Sequence, residues 1–510
     1  MRETIAFRHS GSGERNAMRS VLASTSLLVF AALASCTTPS GELKPAQRQL
    51  PPAQLTSCPI KGVPGDVLCG TLQVPENRDQ PGGRTIALNV VVVRALSSTR
   101  ASEALFTLAG GPGQGEAADA GDNAEDFAAI RLNRDLVMVD QRGTGKSNPL
   151  NCSFGRLDDL VQAFLAGNLP REKVAECRSQ LEQKADLRYY TTPIAADDID
   201  EVRRWLGYEK INLYGGSYGS RAALVYLDRY PEHVRTATLR AVFPLSLKNP
   251  LYSPRDAQQS LERLFADCAR EGACGSAYPR LKEEFDVVLA RLAQKPVEAT
   301  VTDPRTKALV SVRITRDAFA GGVRRLLYSP STQRMVPLLI SRAFAGDFKP
   351  FEPMLAQTAG IERVLSMGMF LSVSCVEDVA RIHDGEIARE TKGAFVGDVM
   401  VRSVKSACEL WPLGVLPPNY HAPVRSKVPV LLLSGALDPM TPSYYGDTVA
   451  RYLPNSRHIV MEGVAHSPFP DCAIAMMTTL VAEASVGNLD TSCLAKIKRA
   501  AFTLPSKQGS

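Results

Sequence analysis

Ile211-Asn212-Leu213-Tyr214-Gly215-Gly216-Ser217-Tyr218-Gly219 is the stretch on which the reading of this chain turns. Its first four residues form a buried-strand run, and Arg221 to Tyr230 takes up helical spacing just after it. Between them lies Gly215-x-Ser217-x-Gly219. That pattern alone is weak, but its position between a strand and a helix gives it weight. A sharp turn there lifts a serine hydroxyl above the sheet edge, at the amino end of a helix whose dipole favours negative charge. Glycines suit such a strained, tightly packed turn. Ser217 is therefore the candidate nucleophile.

Working outward, strands and helices alternate. Ile86–Val93, Leu105–Leu108, Asp135–Val139 and Thr236–Val242 read as strands, and Asp197–Leu206 as a helix. From Leu247 to Ala422 the spacing is mainly helical, as in Ala257–Ala269, Leu281–Ala293 and Met335–Ala345. Strand runs return at Val428–Leu433 and His458–Met461, and Cys472–Ala484 reads as a last helix. The expected class is α/β: a mostly parallel central sheet with a mainly helical cap inserted before the last strands. Expected boundaries are 58–246 and 421–504 for the two parts of the core, with the cap over 247–420.

A serine hydroxyl needs a base. Of the six histidines, only His458 and His466 follow the return of the strand pattern and its Asp438 loop. His458 falls inside a strand run. His466 falls just past it, in a loop at a strand's carboxyl end, where sites in open α/β sheets lie. Asp438 likewise follows a strand end, before Pro439 and Pro442, and suits the task of holding the imidazole. Asp447 is a rival acid within a helical stretch. The developing oxyanion needs two donors. The backbone N–H of Tyr218 would be one. The other would come from Gly110-Gly111-Pro112-Gly113, with Gly111 slightly favoured over Gly110. That loop lacks the Lys-Ser/Thr of a P-loop and is not GxGxxG.

Bulk properties narrow the field further. The 510 residues are 45% apolar and 22% charged, with a formal net charge of +6 and no long basic run, so nucleic acid is not an expected partner. Residues 21–33 form an apolar stretch too short to span a bilayer and suited to a secretory signal. It ends Leu33-Ala34-Ser35-Cys36, resembling a lipobox with Cys36 as the lipidated residue. Residues 1–36 are thus expected to be a signal and 37–57 a flexible tether. The ten cysteines after Cys36 fit an oxidising compartment, and the simplest pairing joins neighbours in order. No cysteine or histidine cluster has metal-site spacing, so neither metal nor cofactor is expected. The expected location is the bacterial cell envelope, lipid-anchored in the periplasm or at the outer membrane, with simple secretion as the alternative.

Gly-Gly-Pro-Gly at 110–113, Asp140-Gln141-Arg142-Gly143-Thr144-Gly145-Lys146-Ser147, Gly-Gly-Ser-Tyr-Gly at 215–219 and the Asp438 and His466 loops together resemble the prolyl iminopeptidase and tripeptidyl aminopeptidase family of serine peptidases. The resemblance spans roughly residues 58 to 500. It implies the α/β-hydrolase fold, a Ser217-His466-Asp438 triad and removal of residues from free peptide N-termini. It also implies acidic cap residues that hold the substrate amine, for which Glu377 and Asp378 are the candidates. Ala109 stands where the iminopeptidases often have histidine, which weakens any claim on proline specificity. The same triad would serve a carboxylesterase or lipase, and a binding lipoprotein that lost its chemistry is a remoter alternative.

Replacing Cys36 with Ser should abolish incorporation of labelled fatty acid and move the protein from the membrane to the soluble fraction. Label retained on the variant would remove the anchor.

Overall fold

The computed structural model describes residues 50–80, 82–152, 169–302, 309–351 and 365–505; the expected signal, Cys36 and tether residues 37–49 lie outside them. A nine-stranded sheet runs through it in the order β1-β2-β3-β5-β4-β6-β7-β10-β11. The strands are β1 Leu55–Ser57, β2 Val67–Pro75, β3 Thr85–Val93, β4 Leu105–Leu108, β5 Leu136–Val139, β6 Ile211–Gly216, β7 Val234–Arg240, β10 Val430–Gly435 and β11 Ser456–Met461. The pairs from β1 to β5 by way of β2 and β3 are antiparallel. From β5 through β4, β6, β7 and β10 to β11 every pair is parallel.

The parallel strands are apolar because both faces are covered. Every residue of β4, β5 and β10 is buried. The helices Tyr218–Arg229 and Asp471–Glu483 bury Leu224, Val225 and Leu227, and Met476, Met477 and Leu480. Chain order creates the crevice that matters. After β4 the chain crosses to β5 on one side, then returns past β4 to β6 on the other. Ligands in open α/β sheets bind at such a switch point, outside the carboxyl ends of the strands. Leu108 at the end of β4 lies level with Gly215 of β6.

One expectation shifts. The expected tether runs to residue 57, but Leu55–Ser57 is the edge strand β1, with Leu55 level with Gly70. A Cβ at Gly70 would lie 2.5 Å from Leu55 Cδ2, so glycine there makes room for the leucine. Near the C-terminus Arg499 donates to Asp267 Oδ2 at 2.8 Å and to Gln333 Oε1 at 2.8 Å, tying the tail to the inserted helices. The cysteines pair as neighbours in order: 58–69, 152–177, 268–274, 375–408 and 472–493.

Between β7 and β10 the chain leaves the sheet. This segment holds the helices Ser253–Arg270, Leu281–Gln294, Arg316–Leu326, Val336–Phe344 and Met367–Glu377. It also contains an antiparallel pair, β8 (Val297–Thr302) with β9 (Leu309–Ile314). The segment has its own core, in which the Phe319 ring lies 5.0 Å from Phe351 and 6.2 Å from Phe285.

The turn after β6 leaves no space for side chains on two glycines. A Cβ on Gly215 would sit 2.1 Å from the Gly219 carbonyl oxygen, and one on Gly219 would sit 2.1 Å from that of Leu108. Backbone atoms cannot yield as a flexible side chain does. Gly219→Ala should therefore lower Tm by several degrees in a thermal melt. A variant melting within a degree of wild type would show that the turn is not packed this tightly.

Candidate active site

Ser217 begins at the end of β6 with φ 57° and ψ −125°, a conformation that a non-glycine residue adopts at a cost of about 1–3 kcal/mol. Its surroundings hold it there. Its N–H donates to the Arg240 carbonyl on β7 at 2.9 Å. Its carbonyl accepts from Ser220 N at 2.9 Å and Ser220 Oγ at 2.6 Å. Tyr218 opens the following helix, so its N–H is among those with no carbonyl four residues earlier in the helix.

Asp438 lies three residues past β10, and His466 five residues past β11. Asp438 Oδ2 lies 2.8 Å from His466 Nδ1. The carboxylate also accepts from Thr441 Oγ1 at 2.7 Å, from Thr441 N at 3.0 Å and from Met440 N at 2.8 Å. Burial works to raise the Asp438 carboxyl, but His466 and the Thr441 donors outweigh it and hold it below the usual carboxylate range. With Nδ1–H given to Asp438, the His466 lone pair is on Nε2. Arg240 fixes the other side of the loop by donating to the His466 carbonyl at 2.6 Å. The Tyr328 ring meets the imidazole edge-on at 5.4 Å.

Ser217, His466, Gly110 and Gly111 line one cavity of about 670 Å³. Asp438 is buried behind His466. A Cβ on Gly110 would lie 3.7 Å from Ser217 Cβ, and Gly111 has φ +112°, so this loop passes close to the serine. Most of the wall is apolar, including Leu365, Met367, Phe370 and Val404. Polar wall residues outside the sequence motifs include Glu116, Asp119 and Asn123 after the Gly110 loop, and Arg240, Arg324 and Tyr328 near His466. Charge at a strand end was the only sequence signal for Arg240. The others become visible only through the fold.

Glu377 and Asp378 do not reach this cavity. Both are buried at the end of the helix Met367–Glu377, and Asp378 accepts two hydrogen bonds from Arg221, each 2.9 Å. Glu377 accepts from Thr192 N at 2.7 Å, from Thr192 Oγ1 at 2.9 Å and from the Tyr420 hydroxyl. Burial pushes Glu377 up, against the pull of Arg221. Arg221 belongs to the helix that follows Ser217 and already satisfies these carboxylates, so neither is left to hold a substrate amine. The expectation that they do so is corrected.

A second Ser-His-Asp set shows what geometry alone is worth. His458 Nε2 lies 2.9 Å from Ser434 Oγ, and its Nδ1 lies 2.8 Å from Asp447. Yet Ser434 is fully buried within β10, and none of the three lines the cavity. Its hydroxyl has no access to a substrate.

A family model described as "alpha/beta hydrolase fold" matches residues 106–273, and one described as "TAP-like protein" matches residues 393–493. The serine protease Hip1 of Mycobacterium tuberculosis is 27% identical over 495 residues, covering 86% of this chain and 92% of the relative. The tripeptidyl aminopeptidase of Streptomyces lividans is 31% identical over 265 residues, covering 47% of this chain and 48% of the relative. Carboxylesterase B of Mycobacterium tuberculosis is 27% identical over 435 residues, covering 78% and 80%.

Asp378→Ala strands a buried guanidinium, so it should cost about 3–5 kcal/mol, read as a fall in the urea midpoint. The ratio of free-amine to N-blocked substrate turnover should stay as it was. A changed ratio at unchanged stability would return Asp378 to substrate binding.

Proposed function

We propose that this chain, an α/β-hydrolase enzyme related over most of its length to a serine protease, removes short peptides from free N-termini through Ser217, His466 and Asp438. The observation that carries the reading is the 2.8 Å His466–Asp438 contact in the wall of the cavity that Ser217 enters from a strained turn. His466 Nε2 takes the Ser217 proton as Oγ bonds to the substrate carbonyl carbon. Asp438 stabilises the resulting imidazolium. The Tyr218 N–H, with an N–H from Gly110 or Gly111, meets the oxyanion. The imidazolium then protonates the leaving amine as the C–N bond breaks, and water repeats the sequence to release the acyl fragment.

Glu116 and Asp119 take the amine-binding role in place of Glu377 and Asp378. Glu116 is 6% exposed, and it accepts from Asn123 Nδ2 at 2.9 Å. Among the described residues neither carboxylate has a basic partner, whereas most buried acids other than Glu116 do. Burial, reinforced by Asp119 and Asp140, pushes the Glu116 carboxyl up to about 7 against its hydrogen bonds. A substrate ammonium would supply the missing countercharge. The apolar wall and the likeness to a carboxylesterase favour ester hydrolysis as the second reading.

These readings separate on one substrate panel: tripeptidyl arylamides, their N-acetylated forms and short-chain esters. Ser217→Ala should reduce kcat at least a thousandfold on every substrate that wild type turns over. N-acetylation should reduce kcat/KM more than tenfold in wild type and much less in Glu116→Gln. Comparable turnover of free and blocked amides would favour the esterase. The preference for free amines should rise with pH up to about 7, as Glu116 ionises, and fall again as the α-amine loses its proton near 8. The same raised carboxyl makes the folded state bind more protons than the unfolded chain, so stability falls from about pH 4.5 to 7. Glu116→Gln should flatten that fall in thermal melts.

A further inference from the structure

We infer that Arg324 is a carboxylate-binding residue for the fragment that leaves, so that the cavity reads the charge of both peptide ends. The inference takes from the proposed function that the anion is a peptide carboxylate. The binding site itself stands on the cavity.

The helix Arg316–Leu326 turns one face to the cavity, with Asp317, Gly321, Arg324 and Arg325 on the helix and Tyr328 just beyond it. Spacings of three and four place them in one stripe. Asp317 is already paired with Arg316 at 2.6 Å. Among the described residues Arg324 has no carboxylate partner. One of its terminal nitrogens meets the Tyr328 hydroxyl at 3.4 Å and Met440 Sδ at 2.9 Å, both weak acceptors for a guanidinium. Its Nε is buried with no acceptor among the described residues. A guanidinium held this way carries unspent donors in a fork suited to a carboxylate.

Its position fixes which part of the substrate it meets. Met440 donates its N–H to Asp438, and Tyr328 packs against His466. Arg324 therefore stands on the flank of the imidazole. That flank holds the leaving fragment, because His466 must hand its proton to the leaving nitrogen. Arg240, whose Nε also lacks an acceptor, adds positive charge beside the same loop. Glu116 and Asp119 lie by the Gly110 loop. Negative charge thus gathers on the acyl side and positive charge on the leaving side, which matches a peptide with a free amine and a free carboxylate. Such a site favours short peptides over the interior of a long chain.

The experiment compares matched tetrapeptides and pentapeptides as free acids and as C-terminal amides. Wild type should favour the acid more than tenfold in kcat/KM, expressed mainly in KM. Arg324→Gln should bring the acid-to-amide ratio close to one, and Arg324→Lys should restore part of it. Because the ratio is taken within one protein, partial loss of folding does not imitate the result. Separately, calorimetry on Ser217→Ala should show a free dipeptide acid binding more tightly than its amide, with the difference lost in Ser217→Ala/Arg324→Gln. Cleavage or binding that ignores the carboxylate, or an Arg324→Gln variant that keeps the preference, overturns the inference. Preferential binding of the acid without peptide cleavage would leave Arg324 in place and overturn the peptidase reading alone.

Discussion

Everything in the candidate site is set by one crowded turn. Ser217 sits at φ 57° because Gly215, Gly219 and Leu108 press their backbones together to within van der Waals contact. No side chain fits at either glycine, so the strand stops and the helix starts within a single residue. The strain is small beside the packing that enforces it, about 1–3 kcal/mol against the burial of a whole helix face. The hydroxyl is thereby lifted toward the switch-point crevice, and the first amides of the helix face the same way.

The turn does not stand alone. The helix after Ser217 carries Arg221, whose guanidinium is clamped by Asp378 from the inserted segment. Tyr218 bonds Thr192 through its hydroxyl at 2.7 Å, and Thr192 in turn bonds Glu377. The Cys375–Cys408 bridge anchors the same helix end. A buried charge pair adds little net stability over a well-packed apolar core, but removing one partner is costly. The network therefore acts as a registry device: it fixes where the insertion sits over the nucleophile, and with it the wall of the cavity.

That arrangement also explains the division of charge. Most carboxylates in the fold's interior are matched by arginines, as Asp198 is by Arg142 at 2.6 Å. In the cavity wall Asp317 is paired with Arg316, but Glu116 and Asp119 on one side and Arg324 on the other have no opposite partner among the described residues. Charge left without an opposite partner in the wall of a substrate cavity is what a binding site for a charged ligand requires.

The sequence by itself carried the alternation of strands and helices, the position of the elbow and the acid and histidine loops; the neighbour pairing of cysteines was only the simplest of many pairings it allowed. These are local properties: a glycine spacing, and an offset of three to five residues past a strand. It could not tell the Ser434-His458-Asp447 set from a reactive one by contact chemistry, since only burial in β10 silences that serine. Nor could it reveal that Glu377 and Asp378 were already taken, because their partner Arg221 is over 150 residues away and meets them only when the insertion folds back. Glu116, Arg324 and Tyr328 carry no motif for the same reason. Their meaning lies in a shared cavity whose walls come from distant segments, and only tertiary packing decides which charges end up there without a partner.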